Sequence, residues 1–250
     1  TYASFSFPLI FLITLVIFLI FQPPLSFGNF KGFLWLFLLI LIGITIINNL
    51  IFYRALDNDR LEEIQTINLL PNISVIIFSS FIFADERRYF IVIPALIASL
   101  AIIWSHWEKH RFKIKKYTLP FLIWALIFAP VSASILKVLL LTWHPISLQM
   151  ALSGGTALGV GLLFSKYVMK ISKKAFSLLL AANILTSIAW ILFYFSYQLS
   201  GIVYTLLIFS LQPLLVYFAS VLFLKEPLQK KKLIAFVIVL ISIVAAQIIK

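Results

Sequence analysis

The chain alternates long apolar runs with short gaps that carry proline, glycine or charged residues. Each run has about twenty residues, the length that a helix needs to cross the hydrocarbon core of a bilayer. Because lipid offers no partners to backbone polar groups, a helix is the natural state of each run. The pattern therefore predicts an all-α integral membrane protein with nine transmembrane helices. They cover roughly residues 5–22, 30–56, 62–84, 89–105, 118–142, 146–165, 175–198, 201–224 and 233–249.

The order of features repeats within the chain. An aromatic pair, a proline in an apolar helix and an acidic residue closing that helix recur at offsets of 141, 142 and 140 residues. The matched features are Phe52-Tyr53 with Phe193-Tyr194, Pro71 with Pro213, and Glu86 with Glu226. A repeat this long indicates a duplicated domain, which in a membrane protein points first to a transporter built from two halves.

The offset also predicts the number and direction of the helices. The segment 118–142 would have its counterpart before Thr1, so we expect five helices in each half and ten in all, with the first absent here. An odd number per half forces the halves to run in opposite directions, which makes this an inverted repeat. The predicted domains are a first repeat over 1–105, a basic linker over 106–117 and a second repeat over 118–250.

Composition and charge support the membrane class. Hydrophobic residues make up 63% of the chain and charged residues 11%, whereas soluble domains carry about twice that charge. The absence of cysteine excludes disulfides and thiolate metal sites. The net charge of +12 lies in the short gaps, so we interpret it as topology signals and contact with lipid headgroups rather than nucleic-acid binding.

The basic residues are unevenly divided between the two sides of the membrane. The gaps at 54–63, 106–117, 166–174 and 225–232 share one side and hold 15 of the 20 Lys and Arg residues. The positive-inside rule places that side in the cytoplasm and the C-terminus outside. We expect a multi-pass protein of the plasma membrane.

Polar side chains inside membrane helices are costly, so their positions suggest sites. Gln65, Asn68, Asn72 and Ser79 share one face of the third segment. Two interpretations fit this stripe: it lines a cavity that admits solute, or it forms hydrogen bonds between packed helices.

A second polar face lies on the seventh segment and contains aromatic residues with polar edges. It comprises Asn183, Ser187, Trp190, Tyr194 and Tyr197. Such residues suit a cavity for an organic or amphipathic solute, although ordinary packing also uses them. The equivalent helix of the first half offers Asn48 and Asn49, so the two helices are candidates for the walls of one cavity.

Other residues have a structural and a functional interpretation. Glu62 and Glu63 begin the third segment, where the helix dipole favours acids, or they couple transport to a cation or proton. Pro71 and Pro213 each remove one backbone hydrogen bond and predict helix kinks. Lys137, near a helix end, is expected to extend its amine to the interface.

The sixth segment has small residues spaced by four, namely Ala151, Gly155 and Gly159. Small residues at this spacing let two helices approach closely.

The sequence gives little support to catalysis. His106 and His110 are four residues apart, but the acid between them is Glu108, which departs from the His-Glu-x-x-His order of a zinc protease. No Walker-type glycine-rich stretch is present. We therefore predict no catalytic residues, no metal site and no cofactor.

The stretch 210–249 resembles the closing helix pair of an EamA-type domain of the drug/metabolite transporter superfamily. It has Pro213 in the penultimate helix, Glu226 just past that helix and a final apolar helix, and Pro71 and Glu86 match in the first half. The segment 118–165, with Trp124 and the corner Trp143-His144-Pro145, resembles the opening pair.

The resemblance implies a ten-helix inverted-repeat carrier with a central cavity. We expect a secondary transporter that exports a small polar or amphipathic metabolite by alternating access, with the bilayer and a small molecule as its partners. A flippase for a lipid-linked substrate and a non-transport membrane subunit or enzyme stay open as alternatives. Members of the family keep both termini in the cytoplasm, in conflict with the charge count, so the sequence leaves the orientation open.

Overall fold

The computed structural model describes residues 2–24, 32–58, 69–106, 118–164, 172–225 and 228–248. Within these residues 91% are helical and there are no strands, so the predicted all-α class is confirmed. The helices are α1 (Tyr2–Phe21), α2 (Gly32–Asn58), α3 (Leu70–Ile82), α4 (Tyr89–His106), α5 (Thr118–Leu140), α6 (Pro145–Phe164), α7 (Lys173–Ser200), α8 (Ile202–Phe209), α9 (Gln212–Leu224) and α10 (Lys230–Ile248). A short 3-10 turn, Ala84–Glu86, lies between α3 and α4.

Six stretches of the described chain are long and apolar enough to cross a membrane. They are Gly32–Leu56, Thr118–Leu140, Pro145–Leu163, Lys173–Ser200, Ile202–Phe223 and Lys230–Ile248. The three other segments predicted from the sequence coincide with the shorter apolar helices Phe5–Phe21, Leu70–Ile82 and Tyr89–Ser105. The protein is thus an integral, multi-pass membrane protein, and the full count of nine spanning helices stays a prediction.

The last-but-one segment is one run in the sequence but two helices in the structure. Helix α8 ends at Phe209, and α9 begins at Gln212 with Pro213 in its first turn. Proline has no N–H, and its ring clashes with the carbonyl four residues earlier, which here belongs to Phe209. Pro71 likewise stands in the first turn of α3.

The chain folds into two compact units, each containing helices from both predicted repeats. Unit 1 consists of Thr1–Asn49 and Ile135–Leu199, and unit 2 consists of Leu50–Ser134 and Ser200–Lys250. The packing units differ from the predicted domains 1–105 and 118–250, and the division into two repeats stays a prediction.

In unit 1, α1 packs along α6, and α6 also packs against α2. A side chain at Gly155 would overlap Ile42, and one at Gly159 would overlap Ile46. Two residues four apart on α6 therefore accept two residues four apart on α2. The contacts at Gly155 and Gly159 are those expected of the predicted close-packing face, whose third residue is Ala151.

In unit 2, α4 packs along α10 and also contacts α3 and α8. A separate cluster joins the end of α2 to the start of α5, where Ala55 and Phe121 are buried and the Phe52 ring packs at a tilt against the Phe121 ring, with 5.5 Å between ring centroids. Near the C-terminal end of α10, the Gln247 amide donates to the Tyr204 hydroxyl of α8 at 2.9 Å.

Candidate functional site

Helix α7 carries one continuous buried stripe. Its buried residues are Leu179, Asn183, Ser187, Ile191, Tyr194 and Tyr197, spaced by three or four and therefore on one face. Four of the five candidates predicted on this helix belong to the stripe. Trp190 does not, because 45% of its surface is exposed.

The N-terminal part of the stripe is a helix-packing contact. The Asn183 amide donates to the Leu179 carbonyl at 2.9 Å and to the Ser6 hydroxyl of α1 at 3.4 Å. The Ser187 hydroxyl donates to the Asn183 carbonyl at 2.8 Å. The bond from Asn183 to Ser6 joins α7 to α1, whereas the other two bonds lie within α7. Polar residues make such bonds between packed membrane helices, so this end of the stripe fits the packing interpretation.

The C-terminal part of the helix carries four aromatic rings in succession, which we call the aromatic ladder: Trp190, Phe193, Tyr194 and Tyr197. Trp190 lies 5.5 Å from Phe193 and 5.9 Å from Tyr194, and Phe193 lies 4.5 Å from Tyr197, measured between ring centroids. Tyr194 and Tyr197 are buried, whereas Trp190 is nearly half exposed. The ladder therefore runs from packed tyrosines to an accessible indole, which suits contact with an organic solute.

A corner between α5 and α6 lies beside the end of the ladder. The Gln198 amide donates to the Leu140 carbonyl at 2.9 Å, and the His144 ring meets Phe195 edge-on at 5.3 Å. The Ile146 N–H donates to His144 Nδ1 at 3.3 Å. Desolvation lowers the pKa of His144 below its usual 6.5, so the ring is neutral at neutral pH and can accept this bond.

The first-half candidates are partly described. Asn48 and Asn49 of α2 are half-buried, and the Asn49 amide donates to the Thr45 carbonyl at 2.8 Å. Asn72 of α3 is half-buried. In the part of the chain that the structure describes, the fully buried Ser79 hydroxyl has no hydrogen-bond partner.

Four predicted residues lie outside the described residues: Glu62, Glu63, Gln65 and Asn68. The polar stripe predicted on the third segment is therefore represented by Asn72 and Ser79, which lie seven residues apart and so share one face of α3.

The family model described as "EamA-like transporter family" matches residues 115–246, which is more than half of the chain. The chain belongs to the EamA-like transporter family. The match covers α5 to α10 almost completely and includes the whole of α7 with its aromatic ladder. The EamA-like family is a family of transporters.

Comparison with solved structures supports the fold of this EamA protein. A structure described as "Crystal structure of protein" aligns over 99% of this chain and 87% of its own, with a TM-score of 0.79 and 14% identity. At that identity the similarity shows a shared fold and nothing about the solute. No curated protein sequence matches the chain.

Some buried residues of this EamA protein were not predicted as site residues. Glu86 is 5% exposed, although the sequence shows it merely as the acid that closes a helix. Lys137 is 9% exposed, and the expectation that its amine extends to the interface stays a prediction. The sequence could have singled out both residues, because an ionisable residue within or beside an apolar membrane segment is costly and usually has a role.

Proposed function

We propose that the protein is a secondary transporter that exports a small polar or amphipathic metabolite across the plasma membrane by alternating access. The observation that carries the proposal is the EamA match over 115–246 in a chain with six stretches able to span a membrane. Transport by such proteins needs a helical body with solute-contacting side chains, and no bond-making residues.

We also propose that the protein has the architecture of a ten-helix inverted-repeat transporter. Two extensive contacts support it: α1 packs along α6 in unit 1, and α4 packs along α10 in unit 2. In each case the partners are helices that the 140–142-residue offset makes equivalent. A twofold pseudo-axis brings equivalent elements together, which is the arrangement of inverted-repeat transporters.

The solute path is proposed to use the aromatic ladder of α7 as an apolar wall. Trp190 offers a flat face with a polar edge, and the buried Tyr194 ring packs against it. Such a face favours solutes that combine a ring or chain with a polar group. Asn48 and Asn49, which belong to the same unit as α7, would supply hydrogen bonds. Gln65, Asn68 and Asn72 stay candidates for solute contact on the pattern of the sequence alone. The buried Asn183 and Ser187 side chains would stabilise this wall at the end of α7 that bonds to α1. The buried Tyr197 ring would form the far end of the wall.

Coupling and flexing are assigned to the remaining candidates. Glu62 and Glu63 are proposed to couple transport to a cation or proton, since carboxylates are the usual groups for that task in membranes. Pro71 and Pro213 are proposed to mark the points where their helices bend. Each stands in the first turn of its helix, and a proline there has no N–H to bond to the preceding turn.

A counterflow experiment tests the proposal. The purified protein is placed in proteoliposomes loaded with unlabelled amino acids, nucleosides or organic acids, and trace labelled solute is added outside. We expect labelled solute of one of these classes to accumulate in protein-containing vesicles and not in protein-free vesicles. No accumulation with any class, combined with movement of a headgroup-labelled lipid between leaflets, would support the flippase instead.

A further inference from the structure

Glu86 is a buried acid at the end of the 3-10 turn between α3 and α4. It is 5% exposed, whereas Asp85, Arg87 and Arg88 around it are exposed. Removing a carboxylate from water costs several kcal/mol unless strong hydrogen bonds replace the lost hydration. The neighbours of its two oxygens therefore identify what the residue does.

Both carboxylate oxygens accept bonds from the first amides of α8. The Ile202 N–H donates to Oε1 at 2.7 Å and the Val203 N–H donates to Oε2 at 3.0 Å. The first amides of a helix have no partners within the helix, and the helix dipole makes this end positive. A carboxylate that receives two of them forms charge-assisted bonds, which are stronger than bonds between neutral groups.

Gly201 makes room for this arrangement. Its φ of +84° lies in the region that favours glycine, and it precedes the first residue of α8. A Cβ at this position would stand 2.6 Å from Oε1 and 2.9 Å from Oε2 of Glu86. Any side chain would therefore displace the carboxylate as well as strain the backbone.

Helix α8 is enclosed along most of its length. Ile202, Val203, Thr205 and Leu207 are all essentially inaccessible, and α8 contacts both α3 and α4. Helix α9, which follows it, exposes Leu215, Val216, Leu222 and Phe223. The Glu86 bonds thus fasten a buried half-helix to the turn between α3 and α4, some 116 residues away in sequence.

We propose that Glu86 is a positioning residue that fixes the first turn of α8, so that α8 and the α3–α4 turn move as one body during transport. The movement rests on the proposed transport function, whereas the anchoring does not. In terms of the predicted repeat, the acid that closes the penultimate helix of the first half holds the start of its equivalent in the second half.

Hydrogen exchange in detergent tests the anchoring without any solute. In E86A the amides of Ile202 and Val203 lose their acceptors, so we expect them to exchange at least about tenfold faster than in the wild type. E86Q keeps one acceptor oxygen and should lie between the two. D85N, which makes the same charge change at the exposed neighbour, should stay within about twofold of the wild type. Equal exchange rates of these two amides in E86A and D85N would overturn the proposal. If E86A does not fold, the same comparison is made between E86Q and D85N.

A double-variant cycle tests whether Glu86 and Gly201 form one device. G201A should lower the unfolding temperature more in the wild-type background than in E86A, because the collision with the carboxylate is then gone. Equal losses in both backgrounds would contradict the device.

The transport arm separates positioning from solute binding. For a solute found by counterflow, E86Q should lower the maximal rate about tenfold while the KM stays within about twofold. A raised KM with an unchanged maximal rate would make Glu86 a solute contact and overturn the positioning role. If no solute moves, the hydrogen-exchange result still decides whether Glu86 anchors α8. Failure of the proposed transport function is therefore distinguishable from failure of the anchoring.

Discussion

The double variant G155L/G159L is expected to lose the packing of α2 on α6 and to fail to give a stable protein. Both glycines face isoleucine tips of α2, Ile42 and Ile46, at distances that leave no room for a Cβ. Each leucine adds four carbons to this contact, and overpacking costs about 1–3 kcal/mol per site, occasionally more. Lipid offers no hydrophobic drive to restore the contact, because the tails are as apolar as the helices.

The measurement is the thermal unfolding midpoint of purified protein, with G161L as the control. Gly161 lies on the same helix, and a Cβ there would meet nothing within 4 Å. We expect G161L to melt close to the wild type and G155L/G159L to aggregate or melt far lower. The single alanine variants should cost less, since the isoleucine tips can shift. A loss in G161L as large as in the double variant would mean that α6 does not pack on α2 through this face.

The second large effect is expected at the exposed end of the aromatic ladder. W190A should raise the KM for the transported solute about tenfold, equivalent to about 1.4 kcal/mol of lost binding. The indole is 45% exposed on α7 and is in ring contact with Phe193 and Tyr194, so its removal deletes contact area without creating a buried void. The thermal midpoint should therefore change little.

Trp104 is the matched control for this prediction. It is 43% exposed on α4 and carries the Lys231 amine 5.6 Å above its ring. We expect W104A to leave the KM unchanged in the same counterflow assay. Equal changes in KM for the two variants would show a general effect of removing an exposed tryptophan and would remove the ladder from the solute path.

The sequence was sufficient to predict the all-helical class and part of the faces that the helices bury. Between residues 179 and 197, every third or fourth residue of α7 is buried, so the buried residues form one stripe. The spacing of Gly155 and Gly159 predicted a close helix contact. Both follow from the 3.6-residue period of a helix, which fixes which side chains share a face.

The partners of those faces could not be predicted in the same way. Asn183 bonds to Ser6, 177 residues away, and Glu86 bonds to Ile202, 116 residues away. Periodicity says which residues share a face but not which helix that face will meet. The same limit applies to Trp190 and Asn183. The sequence places both on one side of α7, but Asn183 is buried and Trp190 is nearly half exposed.

The interruption before Pro213 shows a limit of a different kind. A hydropathy pattern treats 201–224 as one apolar run, and the whole stretch Ile202–Phe223 is indeed apolar enough to span. Ser210 and Leu211 keep helical dihedral angles, but the Leu211 N–H bonds to the Ile208 carbonyl three residues back, so the regular hydrogen bonding of the helix is interrupted there. Hydropathy reports transfer to lipid, whereas helix continuity depends on the missing N–H and ring of the proline.

The central claim is that the Trp190 side of α7 faces a path open to water and solute. The chain has no cysteine, so single cysteines at position 190 or 192 can be labelled without removing others. Leu192 is 61% exposed and points to the opposite side of the helix, where lipid is expected. In membranes, a water-soluble thiol reagent should label W190C rapidly, label L192C slowly, and be slowed at W190C by transported solute. Equal labelling of both positions, or faster labelling of L192C, would contradict the claim.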